Sequence, residues 1–308
     1  MNIETNTLQE QSLPLITPRN DTTQATVVDR VAQFVERFVY LPDRNVYQLI
    51  ATWIIGTYLI PSFEYFGYLF IHSPEPACGK SRLLEVLHEL VNKSSGILIS
   101  PTESALFRTA SGMTQLLDEV DGWTNKENLR SVLNAGFHEG GSVPRSEQDA
   151  ATGGYKVVGC PVYGPKALAG IGLRILDATT RDRTFIIPMV RQEKSERRER
   201  FTRTQRQEAR AVKALIDQWV KDHRKEVAET YQRAEFPELD DFRDRTIDVS
   251  QALVSVLEVA FTGHPKLNDA RLRLLDAITS TRKDQEFLAK DHRILEEIAR
   301  NSVERQRL

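Results

Sequence analysis

An apolar run, Phe66–Ile71 (FGYLFI), passes through His72-Ser73-Pro74-Glu75-Pro76-Ala77-Cys78-Gly79-Lys80-Ser81 into a segment with Leu83, Leu84, Leu87, Leu90 and Val91 on one helical face. A short loop ending Gly-Lys-Ser, set between a buried strand and a helix, suits the binding of phosphates. Backbone N–H groups and the helix N-terminus face the anion, the lysine reaches the outer phosphates and the hydroxyl ligates Mg2+. The candidates for this role are Pro74, Glu75, Pro76, Ala77, Cys78, Gly79, Lys80, Ser81 and Arg82. Pro74 stands where the pattern G-x-x-x-x-G-K-[ST] has its first glycine, and with Pro76 it makes the loop stiffer than a Gly-rich one.

Two further groups have the right chemistry to complete such a site. Leu116-Leu117-Asp118-Glu119 ends another short apolar run. Asp118 is the candidate to share the Mg2+ shell with Ser81, and Glu119 the candidate to polarise an attacking water. Thr180-Arg181-Asp182-Arg183 precedes the apolar run Thr184–Pro188, and Arg181 or Arg183 could supply positive charge to a transition state, often across a subunit boundary. Taken singly, each group has an ordinary reading: a surface turn with a solvated lysine, a helix N-terminus, an arginine bridged to Asp177 or Asp182. Their order along the chain is what makes the chemical reading specific.

These residues need elements to hold them. Phe66–Ile71, Gly96–Ile99, Thr114–Leu117, a stretch within Val157–Ala169 and Thr184–Pro188 read as five strands. Near-continuous apolar runs of this kind fit strands buried on both faces. Helices are expected over Val27–Phe38, Asn45–Leu59 and from about Lys80. Ser100-Pro101-Thr102-Glu103 and Thr124-Asn125-Lys126-Glu127 look like helix starts. Beyond Met189 strand signals stop, and 195–232, 249–261, 267–280 and 284–300 read as helices. The expected architecture is α/β: a parallel sheet with helices on both faces, followed by an all-helical C-terminal subdomain. The expected organisation is a flexible tail over 1–23, a core with leading helices over 24–190 and the helical part over 191–308.

With the phosphate loop, the Leu-Leu-Asp-Glu strand and the Thr-Arg-Asp-Arg element in this order, the chain resembles the additional-strand (AAA+-like) P-loop ATPases. In particular it is similar to the ATPase domain of phage and mobile-element primase-helicase replication proteins. LPDRNVYQLIATWIIGTYLI, SPEPACGKSRLLEVL, LLDEVD, YGPKALAGIG, TTRDRTFIIPM and DRTIDVSQALVSVLEVA carry the resemblance over roughly residues 38–280. It implies ATP and Mg2+ as cofactors, ATP hydrolysis, ring formation as a hexamer and a helicase or translocase role. Single-stranded or forked DNA and a primase or other replication protein are the implied partners. Residue by residue it supports Lys80, Ser81, Asp118, Glu119 and Arg181 or Arg183. The chain departs from the family at Ala169-Gly170-Ile171-Gly172, where related ATPases end the strand on a polar sensor.

A DNA contact is expected from the segment FHEGGSVPRSEQDAATGGYKVVGC, where Arg145 and Lys156 are the candidates and Tyr155 stands beside them; its plain alternative is a flexible surface loop. With 41 Lys+Arg against 43 Asp+Glu, the chain is no bulk-charge nucleic-acid clamp. Positive loops converging in a ring would still build a strong local field. From Arg174 to Lys213, twelve Lys/Arg oppose six acidic residues; the preferred reading is a solvated helix laced with i,i+4 pairs, ahead of a DNA-contact surface.

Cys78 and Cys160 are too few for a disulfide scaffold or a four-thiolate zinc site and suit a reducing, cytoplasmic compartment. The longest apolar stretch, Tyr47–Ile60, is 14 residues, too short to span a bilayer, and the polar start shows no export signal, so no membrane partner is expected. The alternative in another functional class is a nucleotide-gated scaffold that binds ATP to assemble or recruit a partner without unwinding DNA.

Overall fold

The computed structural model describes residues 25–123, 126–148, 154–172, 176–233, 237 and 244–281. The expected tail over 1–23, the cap at Thr124-Asn125 and the helix over 284–300 lie outside the described residues.

Helix α1 (Val27–Phe38) starts at a reciprocal cap: Thr26 Oγ1 accepts from Asp29 N at 3.1 Å, and Asp29 Oδ2 accepts from Thr26 N at 3.0 Å. It buries Val28, Val31, Phe34, Val35 and Phe38 on one face. Helix α2 (Asn45–Gly56) is buried on all sides from Val46 onward, as its largely apolar sequence requires. The segment reaches no membrane-spanning length, and no described helix is long and apolar enough to cross a membrane.

Strand β1 (Tyr68–Ser73) leads through the Pro74–Gly79 loop into α3 (Lys80–Leu90). Then come β2 (Ser94–Ile99), α4 (Glu103–Arg108), β3 (Thr114–Asp118), a one-turn 3-10 segment Val120–Gly122 and α5 (Lys126–Ala135). The chain continues through β4 (Ser142–Gln148), β5 (Tyr155–Pro161), β6 (Lys166–Ile171), α6 (Ala178–Arg181) and β7 (Thr184–Pro188). The five-stranded sheet runs β2-β3-β6-β1-β7 with every pair parallel, so β6 is inserted between the loop-bearing strand and the strand that ends on Asp118. The expected α/β architecture, with a helical C-terminal part, is the one observed.

The fourth strand expected within Val157–Ala169 is two strands. Gly164-Pro165 interrupts the run, and only β6 enters the main sheet. β5 pairs antiparallel with β4 in a separate hairpin, Ser142 opposite Pro161 through Gln148 opposite Tyr155. At the base of β6, fully buried Lys166 donates from Nζ to Val162 O (2.8 Å), Gly164 O (2.9 Å) and Ala110 O (3.2 Å), tying together the turns that precede β6 and β3.

The helical part consists of α7 (Arg203–Arg233), α8 (Asp244–Ala260) and a helix over 267–281. It packs on the leading helices: Gln48 Nε2 donates to Ala270 O, and Tyr231 closes on Phe63. Here one expectation is corrected. Helix does not begin at 195 as a long element; α7 starts at Arg203, because Phe201 is buried against Phe34 and Phe38 and the chain before it runs irregularly to reach them. The charges of the basic stretch are paired mainly across the fold rather than along one helix. Glu199 and Glu208 bind Arg37, Arg206 binds Glu89 (3.3 Å), and Glu196 accepts from Tyr40.

Candidate functional site

Strand ends gather the chemistry at one edge of the sheet. All five strands are parallel, so the loop after β1 and the acidic turn after β3 emerge on the same side. The loop bends back at Ala77 (φ 61°) and Gly79 (φ 92°), and Gly79 relieves at its position the strain that a side chain would incur. A Cβ there would also approach Met189 Cε at 3.3 Å.

Pro74 to Ala77 are exposed, whereas Cys78 is buried, its Sγ 3.7 Å from Pro76 O. Lys80 Nζ donates to Ser73 Oγ (2.5 Å) and Glu75 O (3.3 Å), so the ammonium lies across the mouth of the loop. Arg82 turns along α3 to Glu85 (3.2 Å). Among the described residues the amides of Gly79, Lys80 and Ser81 have no protein acceptor. Three such donors at the positive end of an 11-residue helix are suited to an anion.

Ser81 Oγ donates to Asp118 Oδ2 at 2.9 Å. Asp118 is buried, and its other oxygen accepts from Glu119 N at 2.9 Å. A hydroxyl and a carboxylate this close can share one hard divalent cation. No group of three or more His, Cys, Asp or Glu among the described residues could hold a metal. A cation here would therefore complete its shell from phosphate oxygens and water, the habit of Mg2+. The donor set fits a Mg2+-bound phosphate group.

Glu119 is exposed and holds a left-handed backbone (φ 53°, ψ 38°). Its turn is fixed by Gly122 N donating to Glu119 O (3.0 Å) and by Trp123 Nε1 donating to Asp118 O (3.1 Å).

No family model and no curated protein matches the chain. Solved structures are similar to it, two of them as follows. One is described as "SCCmec type IV Cch - active helicase": 14% identity over 90% of this chain and 52% of that one, with a TM-score of 0.46. The other is described as "The A form apo structure of NrS-1 C terminal region-CTR": 12% identity over 76% of this chain and 66% of that one, with a TM-score of 0.38. The chain thus spans about half the length of the first and about two thirds of the second.

The two candidate arginines lie in different surroundings. Arg183 is buried: Nη1 donates to Thr179 O (3.0 Å) and Asn134 Oδ1 (3.1 Å), and its guanidinium stacks 4.2 Å from the Phe137 ring centre. Arg181, at the end of α6, is half-buried.

The nucleic-acid candidates lie on the β4–β5 hairpin. Arg145 faces inward, ion-paired to Glu103 and lying 4.2 Å over the Phe107 ring of α4. The opposite face carries Ser142, Pro144, Ser146, Gln148, Tyr155, Val157, Gly159 and Pro161, all exposed and none charged. Tyr155 is 80% exposed. Lys156, on the inward-facing register but nearer the tip, is exposed.

Sequence reasoning passed over His72, Ser73 and Asp121. Ser73 was visible as part of the loop but not as the partner of Lys80. His72 is buried at the end of β1; burial, and after it the charge of Lys80, holds its imidazole below the ordinary histidine range. Asp121 reaches the end of β6, where Oδ1 accepts from Ile171 N at 2.9 Å.

Proposed function

We propose that the chain is an ATP-hydrolysing DNA motor, a helicase or translocase that works as a ring, in replication of a phage or mobile element. The observation that carries the reading is the Ser81–Asp118 contact beside Lys80 and the acceptor-free amides of α3, with Glu119 next in line. ATP with Mg2+ is the ligand this donor set suits. Mg2+, when bound, neutralises charge on the phosphate oxygens.

The chain's own residues divide the work. Lys80 exchanges Ser73 and Glu75 for phosphate oxygens, and the amides of Gly79 to Ser81 cradle the same group. Ser81 and Asp118 hold the cation. Glu119, exposed to water and next to Asp118, accepts a proton from the attacking water. Arg181, at the end of α6, reaches the site of the next protomer as the transition-state cation, and Arg183 packs within its own subunit.

On this reading residues 24–190 are the motor core and 191–308 its helical appendage. The hairpin meets single-stranded or forked DNA through Tyr155 and Lys156, while Arg145 fastens the hairpin to α4. A hexamer and a primase or similar replication partner complete the proposal.

Mass in solution, with and without ATP and single-stranded DNA, together with ATP turnover under the same conditions, tests it. Ring-sized mass and DNA-stimulated turnover support the motor. ATP binding with assembly but no turnover supports a nucleotide-gated scaffold instead. Unchanged monomer mass in every condition overturns the ring and the placement of Arg181.

A further inference from the structure

The end of β6 lies between the phosphate loop and the acidic turn, yet Ala169-Gly170-Ile171-Gly172 offers no polar side chain there. The structure fills that position from a neighbouring element. Asp121, in the turn after β3, puts its carboxylate against the strand end and accepts the Ile171 amide at 2.9 Å. The space is fully taken: a Cβ on Gly170 would stand 2.8 Å from Asp121 Oδ1 and 3.1 Å from Val120 Cγ2. Gly170 and Asp121 are thus two halves of one contact, and a side chain on β6 would expel the carboxylate.

This contact closes the turn that begins at Glu119. A non-glycine residue in the left-handed region persists only where its surroundings hold it. Gly122 N and Trp123 Nε1 fix the turn from within, Val120 packs on β6, and among the described residues Asp121 alone hydrogen-bonds the turn to β6. We infer that Asp121 is a positioning residue for hydrolysis: its hydrogen bond to the Ile171 amide locks the 119–122 turn onto β6 and so holds Glu119 where it serves water. The inference rests on the proposed ATPase reading.

The test uses the full chain with two readouts, one independent of turnover. Hydrogen exchange at the Ile171 amide should speed up at least tenfold in Asp121→Ala and be unchanged in Lys80→Ala. In steady-state assays Asp121→Ala and Gly170→Ala should each lower kcat for ATP hydrolysis by about 10- to 100-fold, with the Kd for a fluorescent ATP analogue within threefold of the parent. Because both break one contact, the double variant should be no slower than the worse single one. Asp121→Asn keeps an acceptor oxygen and should retain at least about a third of parental kcat.

Unaltered Ile171 exchange in Asp121→Ala, or a parental kcat in that variant, overturns the inference while leaving the ATPase reading intact. Asp121→Asn as inactive as Asp121→Ala also overturns it, since the charge and not the acceptor would then matter. A parent chain that binds no ATP analogue overturns the ATPase reading and this role with it, even if the Ile171 exchange responds.

Discussion

Ser81 Oγ and Asp118 Oδ2 lie 2.9 Å apart although 37 residues separate them in sequence. The sheet brings them together. β6 occupies the space between β1 and β3, and the start of α3 reaches across the end of β6 to the acidic strand. The loop, the carboxylate and the turn that follows therefore share one edge of the sheet.

Glu119→Gln should separate binding from chemistry. Removing the only basic oxygen pair proposed to face water is expected to lower ATP turnover by at least about 100-fold. Affinity for a fluorescent ATP analogue should stay within a few-fold, as measured by direct titration. A parallel loss of affinity and turnover would move Glu119 from water activation to ligand binding.

Arg181 and Arg183 should fail in different ways. Arg181→Ala is expected to lower kcat by about a thousandfold with DNA and ATP saturating. Arg183→Ala removes the Asn134 and Thr179 hydrogen bonds and the Phe137 contact, and should destabilise the fold by roughly 1–3 kcal/mol. Calorimetry beside the turnover assay distinguishes the two.

Tyr155 and Lys156 should contribute to DNA binding by different physics. Tyr155→Ala is expected to weaken binding of a single-stranded oligonucleotide by about 5- to 100-fold with little change in salt dependence. Lys156→Ala should instead flatten the slope of log K against log salt by about 0.7. Fluorescence anisotropy at several salt concentrations measures both.

Lys166 predicts a pH signature. Burial pushes its ammonium down to about 7. The unfolded lysine keeps its proton to about 10.4, so the unfolded chain binds more protons between those values and stability from this group rises with pH there. Lys166→Met leaves three carbonyls without their donor and should lower stability by on the order of 2 kcal/mol. The gap in Tm between parent and variant should widen from pH 7 to pH 9; a constant gap would contradict the assignment.

Much of this edge was legible in the sequence. β1, β3 and β7 are largely apolar runs, and apolar runs between helices announce buried parallel strands; β2 is only half-buried, and its Gly96–Ile99 end was the part that showed. Lys80, Ser81, Asp118 and Glu119 follow from where those runs end. The β4–β5 hairpin was not legible as strands, since its outward face is uncharged but not apolar and its inward face pairs charge with α4. Asp121 was hidden for another reason: its partner is a backbone amide 50 residues away, which no side-chain pattern records. The charges of 193–213 misled because their partners, Arg37, Glu36 and Glu89, belong to other helices.

The most direct test of the central claim is ATP turnover by purified Lys80→Ala beside the parent chain, with single-stranded DNA present. Lys80 is proposed to exchange Ser73 and Glu75 for phosphate, so turnover in the variant should fall to background while its thermal unfolding stays that of the parent. A folded Lys80→Ala protein that hydrolyses ATP at the parental rate would contradict the site.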